Sequence, residues 1–175
     1  NSPAWWITKE ELSSAAVMSE ADQHQVVKYM VERLEQKLRK NEIDFNGWVK
    51  AANAYRVLGE VSKEEASLRK AAQLAPKNVE ILLRYGRILR RVSGNKQTEK
   101  SVALMRQVLA VDPENLEALF LLGRAEASAG RINIGKALMM RAIRKLPQDT
   151  KEYNALKNKL RPLANKFEVA LLAPL

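Results

Sequence analysis

Apolar residues recur at helical spacing along most of this chain of 175 residues. Between Trp48 and Gly59, large and small residues follow one another at steps of three and four, so they share one face of a helix: Trp48, Ala51, Ala52, Tyr55 and Gly59. The glycine marks the end of that helix. This mixture of large and small side chains predicts a second helix packed closely against the first.

A similar pattern predicts one helix further towards the N-terminus. Ser19 and Asp22 have the spacing of a capping box. An apolar stripe follows at helical spacing up to about residue 40: Val27, Met30, Val31, Leu34 and Leu38. We expect an amphipathic helix over residues 19–41, preceded by an extended leader over residues 1–18.

Three prolines divide the rest of the chain at nearly regular intervals. Pro76, Pro113 and Pro147 each follow an apolar helical run, and they lie 37 and 34 residues apart. A period of about 34 residues, with small residues where helices cross, is typical of the tetratricopeptide repeat, a pair of antiparallel helices. We therefore predict an all-α, helix-turn-helix solenoid of three repeats over residues 45–147, at about 45–78, 79–115 and 116–149.

The sequence departs from the repeat pattern in two places. The second repeat has three extra residues in the segment from Ser93 to Thr98, which predicts a longer turn between its helices. In the first repeat, Glu64 stands where a small residue is usual at the helix crossing. That substitution predicts a looser or shifted first pair.

The chain after the third repeat divides at Pro162. Asp149 can cap a further helix over residues 149–161, which would cover the apolar face of the last repeat as a capping helix. The segment 162–175 is largely apolar. Such a tail either folds back onto the repeats or pairs with a neighbouring chain.

The sequence offers little for catalysis. It contains no cysteine and a single histidine, His24, and none of the common nucleophile, phosphate-loop or zinc motifs. A solvated surface histidine accounts for His24. We therefore predict that the protein is not an enzyme and has no cofactor and no metal site.

The charge favours acidic partners. Thirty Lys and Arg against 20 Asp and Glu give a formal net charge of +10. A nucleic-acid site would require aromatic side chains interleaved with the cations along one strip. Because Trp48, Tyr55 and Tyr85 occupy core positions of the repeats, no nucleic-acid partner is predicted.

In this type of repeat the first helix lines a groove, at fixed offsets from its large residue. The offsets from Trp48, Leu82 and Leu119 select one apolar column and one polar, mostly cationic column. A charged face that is merely solvated is the alternative interpretation. Apolar anchors beside guanidinium groups suit a helix or extended peptide that presents hydrophobic side chains and carboxylates. The predicted peptide-binding residues are Asn46, Val49, Asn53, Arg56, Leu83, Arg87, Arg90, Phe120 and Arg124.

The region from residue 19 to about residue 160 resembles the periplasmic part of the CcmI/CycH family, the apocytochrome c chaperones of bacterial cytochrome c maturation. The resemblance rests on an apolar run in the first helix and on the start and end of the helix that follows: Met30, Val31, Leu34, Lys37 and Leu38, then Gly47, Trp48, Tyr55, Leu58 and Gly59. It implies a periplasmic domain of an inner-membrane protein, with membrane association through an N-terminal segment that precedes this sequence.

The resemblance also implies a function and its partners. The domain would bind the C-terminal helix of an apocytochrome c in the repeat groove, deliver it to the haem-ligation machinery and contact other cytochrome c maturation subunits. The alternative is a tetratricopeptide scaffold that assembles a membrane complex without holding peptides. In that case self-association or subunit capture would involve Leu171 and Leu172 of the apolar tail.

Overall fold

A computed structural model describes residues 20–147, 150–151, 153–155 and 158, with side chains from residue 24 onward. These residues form helices and turns, and no strand occurs among them. The all-α fold class predicted from the sequence is therefore confirmed. Seven helices have defined bounds in this part of the chain: α1 Glu20–Lys40, α2 Phe45–Leu58, α3 Val61–Leu74, α4 Val79–Val92, α5 Glu99–Val111, α6 Leu116–Ser128 and α7 Ile132–Arg144.

The chain divides into two compact units, Asn1–Ile81 and Leu82–Leu175. The first unit contains α1, α2 and α3, and the second contains most of α4 together with α5, α6 and α7. Within the first unit α2 packs against both α1 and α3. Within the second unit α6 packs against both α5 and α7.

The core of the first unit combines a few large side chains with many alanines. Val31 and Leu38 of α1 are buried against Ala51, Ala54 and Tyr55 of α2. On the α3 side, the fully buried residues include two alanines and one leucine: Ala52, Leu68 and Ala71. The helix α2 begins where the Asp44 carboxylate accepts a hydrogen bond from the Gly47 backbone N–H at 2.8 Å. It ends at Gly59, whose φ of 71° favours glycine.

The side chain of Glu64 is buried within this first unit, at 5% exposure. Ala51, Ala52, Leu68 and Ala71 are each no more than 1% exposed. These values describe a filled interface between α2 and α3 that includes a buried carboxylate. That the pair is looser or shifted stays a prediction.

The turn between α4 and α5 is the long one that the sequence predicted. Six residues separate these helices, against two between α2 and α3 and three between α6 and α7. The backbone turns through positive φ at Gly94 and Asn95, with values of 67° and 63°. Thr98 and Ser101 then form a capping box at the start of α5, with the Thr98 hydroxyl accepting from the Ser101 N–H at 3.1 Å.

The α6/α7 pair crosses at two glycines. A Cβ placed on Gly135 would lie 2.5 Å from the Gly123 carbonyl oxygen and 2.8 Å from the Ala127 backbone nitrogen. Beside the crossing, the carboxylate of Glu126 is 6% exposed and pairs with Arg106 of α5 at 2.8 Å and with Arg131. Glu126 therefore links three successive segments of the second unit.

A helical turn follows Pro147 in the described part of the chain. The Thr150 hydroxyl accepts a hydrogen bond from the Tyr153 N–H at 3.2 Å and donates one to the Pro147 carbonyl at 2.8 Å. Thr150 thus occupies the capping position of this turn. The other terminal features predicted above lie outside the described residues: the leader 1–18, Ser19, Asp149 and the tail 162–175.

Candidate functional site

Within the second unit, an ion pair joins the predicted groove faces of α4 and α6. The Arg87 guanidinium of α4 donates two hydrogen bonds to the Glu117 carboxylate of α6, and the Nε to Oε1 distance is 2.8 Å. This bidentate ion pair shows that the predicted groove faces of the two helices are neighbours. We name this region the α4/α6 surface, and it consists of Leu83, Arg87, Arg90, Glu117, Phe120 and Arg124.

The apolar part of the α4/α6 surface consists of Leu83 and Phe120. Both side chains are half-buried, so each keeps area that a ligand can cover. The guanidinium carbon of Arg124 lies 5.9 Å from the centroid of the Phe120 ring, within the range of a cation–π contact. The Phe120 ring and the Arg124 guanidinium therefore lie together and offer a ligand an apolar surface beside a positive charge.

The three arginines of this surface differ in their electrostatic state. Arg87 is 56% exposed, but its charge is matched by Glu117. In the described part of the chain, neither Arg90 nor Arg124 has an ion-pair partner. A ligand carboxylate can therefore bind Arg90 or Arg124 without displacing a protein carboxylate, whereas binding to Arg87 requires competition with Glu117.

The predicted groove residues of the first unit all lie on α2, with different exposures. Asn46 and Arg56 are exposed and Val49 is half-buried. Asn53 is buried, at 8% exposure, and offers little surface to a ligand. Its place in the peptide-binding site stays a prediction.

The sequence predicted Arg87 as a groove residue, but its ion pair with Glu117 was not predicted. The signal was available, because Arg87 lies five residues after the large residue Leu82 and Glu117 lies two before Leu119. Opposite charges at those two offsets in successive repeats predict a bridge. Such a bridge lowers the net positive charge of the groove.

Other candidate chemistry finds little support in the described residues. His24 is exposed. No group of three or more His, Cys, Asp or Glu side chains that could hold a metal ion occurs in the described part of the chain. No helix there combines the length and apolar character that crossing a membrane requires.

The paired antiparallel helices, with small residues at their crossings, define a tetratricopeptide-repeat protein. MamA and PilW are two of the solved structures with a similar fold. MamA superposes with a TM-score of 0.59 at 16% identity, covering 85% of this chain and 90% of that one. PilW, a widely conserved type IV pilus biogenesis factor, superposes with a TM-score of 0.55 at 21% identity, covering 84% of this chain and 65% of that one. At these identities the likeness shows the fold alone.

Residues 10–153 match the family model of the cytochrome c-type biogenesis protein H tetratricopeptide-repeat domain. The chain belongs to this family. The cytochrome c-type biogenesis protein CycH of Bradyrhizobium diazoefficiens is 34% identical over 76 residues, or 43% of this chain, and the match spans only 21% of that relative. The resemblance found in the sequence is thus confirmed, and it associates the domain with cytochrome c maturation.

Proposed function

We propose that this domain binds the C-terminal helix of an apocytochrome c and delivers it to the haem-ligation machinery, as a periplasmic part of an inner-membrane protein. The α4/α6 surface is the observation that supports the proposal. It places two half-buried apolar side chains, Leu83 and Phe120, beside two arginines without an acidic partner in the described chain. This combination suits an amphipathic helix that carries carboxylates.

In the proposed complex, apolar side chains of the ligand helix contact Leu83 and Phe120. A carboxylate of the ligand, from a side chain or from the chain terminus, accepts hydrogen bonds from Arg124 or Arg90. The Arg87–Glu117 pair holds α4 and α6 side by side and supports the surface on which the ligand lies. Within the first unit alone, Asn46, Val49 and Arg56 of α2 are proposed as a separate contact of similar chemistry.

The expected affinity is moderate. Burial of an apolar side chain contributes about 1.5–3 kcal/mol, and association and ordering offset part of that gain. Two or three such anchors with one charge-assisted hydrogen bond therefore predict a dissociation constant on the order of 1–100 μM. An affinity of this size would suit a carrier that must release its cargo, so we propose a binding function rather than catalysis.

The proposal is tested with a fluorescently labelled peptide of the C-terminal helix of a c-type cytochrome, titrated with the full chain and followed by anisotropy. We expect saturable binding that a scrambled peptide lacks. Phe120→Ala removes an apolar anchor and should weaken binding about tenfold. Arg124→Glu replaces attraction by repulsion and should weaken it about fivefold.

The matched control is Arg69→Glu. Arg69 is exposed on α3, and its substitution changes the net charge by the same amount as Arg124→Glu. We expect it to leave the affinity within about twofold, since Arg69 is not one of the proposed ligand-binding residues and salt screens a general effect of net charge. Equal losses in both variants, or equal binding of native and scrambled peptides, would contradict the proposal and favour the scaffold function. Arg87→Glu is a poorer test because it would place two carboxylates together at Glu117.

A further inference from the structure

A second concave surface lies between α1 and α2 in the first unit. It is a cleft of about 240 Å³. Its apolar lining includes Val27, Met30 and Leu34 of α1 and Ala54 of α2. The charged side chains that line it are Arg33 and Lys37 of α1 and Lys50 of α2. We name it the α1/α2 cleft.

The cleft exists because α2 covers only part of the apolar stripe of α1. The α2 face towards α1 carries alanines at positions 51 and 54, and Val31 at the centre of the stripe is 4% exposed. Val27, Met30 and Leu34 remain only partly buried. The stripe of α1 is thus wider than the area that small side chains of α2 can cover.

The charged side chains that line the α1/α2 cleft are all cationic. Among the described residues, no carboxylate lines it. Lys37 is exposed and has no ion-pair partner in the described chain, while the Arg33 guanidinium lies 6.0 Å from the Tyr29 ring centroid. The cleft therefore combines an apolar floor with a purely cationic rim.

Another cleft in the first unit, formed by α1, α2 and α3, differs from the α1/α2 cleft in the charges that line it. It has a volume of about 370 Å³, and its carboxylates are matched within the protein. Glu42 pairs with Lys70 at 3.2 Å, and Glu35 accepts a hydrogen bond from the Tyr55 hydroxyl. Burial, followed by the bond to Glu35, raises the pKa of Tyr55 above its ordinary value. Glu35 and Glu42 thus line this other cleft, whereas the charged side chains that line the α1/α2 cleft are cationic.

We propose that the α1/α2 cleft binds an amphipathic helix of another protein, one that carries carboxylates beside its apolar stripe. The volume of 240 Å³ is below the roughly 300–1,000 Å³ typical of small-molecule pockets, so docked side chains suit it better than a cofactor does. The distance from Val27 to Lys37 along α1 is about 15 Å at 1.5 Å per residue, which matches nearly three turns of a ligand helix.

The concave shape favours a helix over an anionic membrane. A membrane-binding face inserts projecting apolar side chains into the lipid interface. Here the apolar atoms form the floor of a cleft, and the cations form its rim. A partner helix can place its own apolar side chains on that floor and its carboxylates against Lys37 and Arg33.

The test uses the full chain and two designed, labelled peptides of 18 residues. Both have leucines at positions i, i+3, i+4 and i+7, and they carry either glutamates or lysines beside the leucine stripe. We expect the glutamate peptide to bind saturably, about tenfold or more tighter than the lysine peptide. Lys37→Glu should weaken binding of the glutamate peptide about fivefold, because it reverses one charge at the rim.

Two control variants make the result specific. Lys28→Glu changes the net charge by the same amount on the same helix, and Lys28 is exposed and does not line the cleft. It should leave the affinity within about twofold. The glutamate peptide also has the chemistry proposed for the α4/α6 surface, so Phe120→Ala serves as the background for a second comparison. The loss caused by Lys37→Glu should persist in that background, which distinguishes the two sites.

Several outcomes would overturn the inference. Equal losses for Lys37→Glu and Lys28→Glu would show a net charge effect alone. Binding to vesicles with an anionic lipid, without binding to the glutamate peptide, would show a lipid surface. Self-association that Lys37→Glu abolishes, again without peptide binding, would show that a second copy of this chain occupies the cleft.

Discussion

The α2/α3 and α6/α7 pairs place different residues at the same helix crossing. Positions 71 residues apart correspond in the two repeats, so Ala52 and Glu64 of the first pair match Gly123 and Gly135 of the other. Glu64 is buried at 5% exposure, so the first crossing accommodates a whole carboxylate side chain. At the other crossing even a methyl group on Gly135 would meet backbone atoms. The repeat therefore constrains the paired helices without fixing how closely they approach.

The largest effect is expected from Gly135→Ala. The added Cβ would lie 2.5 Å from the Gly123 carbonyl oxygen, and backbone atoms of two packed helices move apart only at a cost. Overpacking of about 3 kcal/mol, less about 1 kcal/mol of improved helix propensity, predicts a loss near 2 kcal/mol. Thermal unfolding should show a transition lowered by roughly 4–8 °C. An unchanged transition would mean that the α6/α7 crossing can accept a larger residue, as the α2/α3 crossing accepts Glu64.

The second largest effect is expected at Glu126, the buried carboxylate of the second unit. The bonds from Arg131 and then Arg106 hold the pKa of Glu126 below its ordinary value. Its contribution is therefore present above the unfolded-state pKa of about 4.3 and is lost as the pH falls through the lower folded-state pKa. We expect Glu126→Gln to lower stability by roughly 1–2 kcal/mol at pH 7.

Denaturant unfolding at pH 7 and near pH 3 tests this dependence. The difference between the wild type and Glu126→Gln should shrink at the lower pH, since below the unfolded-state pKa of about 4.3 the unfolded wild-type chain binds a proton more readily than the folded one. A difference that is independent of pH would show that the amide disrupts packing and that the ion pairs contribute little.

The third effect concerns the α4/α5 pair of the middle repeat. Ser101 occupies the position that corresponds to Glu64 and Gly135, and it forms a capping box with Thr98. Thr98→Ala removes the hydroxyl that accepts from the Ser101 N–H and should cost about 1 kcal/mol. Lys96→Ala in the same turn, where the side chain is exposed, serves as the control. Equal urea midpoints for the two variants would show that the cap is dispensable.

The smallest effect is expected from Gly86→Ala. Gly86 corresponds to Gly123, but the added Cβ would meet only the terminal methyl of Met105, at 2.6 Å. A flexible methionine can move, and alanine has the better helix propensity by about 1 kcal/mol. We expect a change within about 0.5 kcal/mol in the free energy of unfolding. A loss as large as that of Gly135→Ala would contradict the distinction between backbone and side-chain obstacles.

Much of the fold could be predicted from local signals. Pro76, Pro113 and Pro147 each follow a helix, and the insertion near Gly94 produced the expected long turn. The burial of Glu64 could not be predicted, because whether a carboxylate turns inward depends on the space that the neighbouring helix leaves. Propensity and periodicity contain no measure of that space.

The candidate site was predictable in part. The offsets identified Phe120 and Arg124, which the structure brings into contact. They did not reveal that Asn53 is buried or that Glu117 matches the charge of Arg87. The α1/α2 cleft was missed although its stripe was recognised, since the sequence shows an apolar face but not how much of it alanines leave uncovered.

The most direct test of the central claim is to titrate the isotopically labelled chain with the unlabelled C-terminal helix peptide of a c-type cytochrome and to map amide chemical-shift changes by NMR. We expect the largest changes in the second unit to fall on α4 and α6, around Leu83, Phe120 and Arg124, and to saturate at micromolar peptide. Changes confined to α1 around Lys37, or spread evenly over the exposed lysines and arginines, would contradict it.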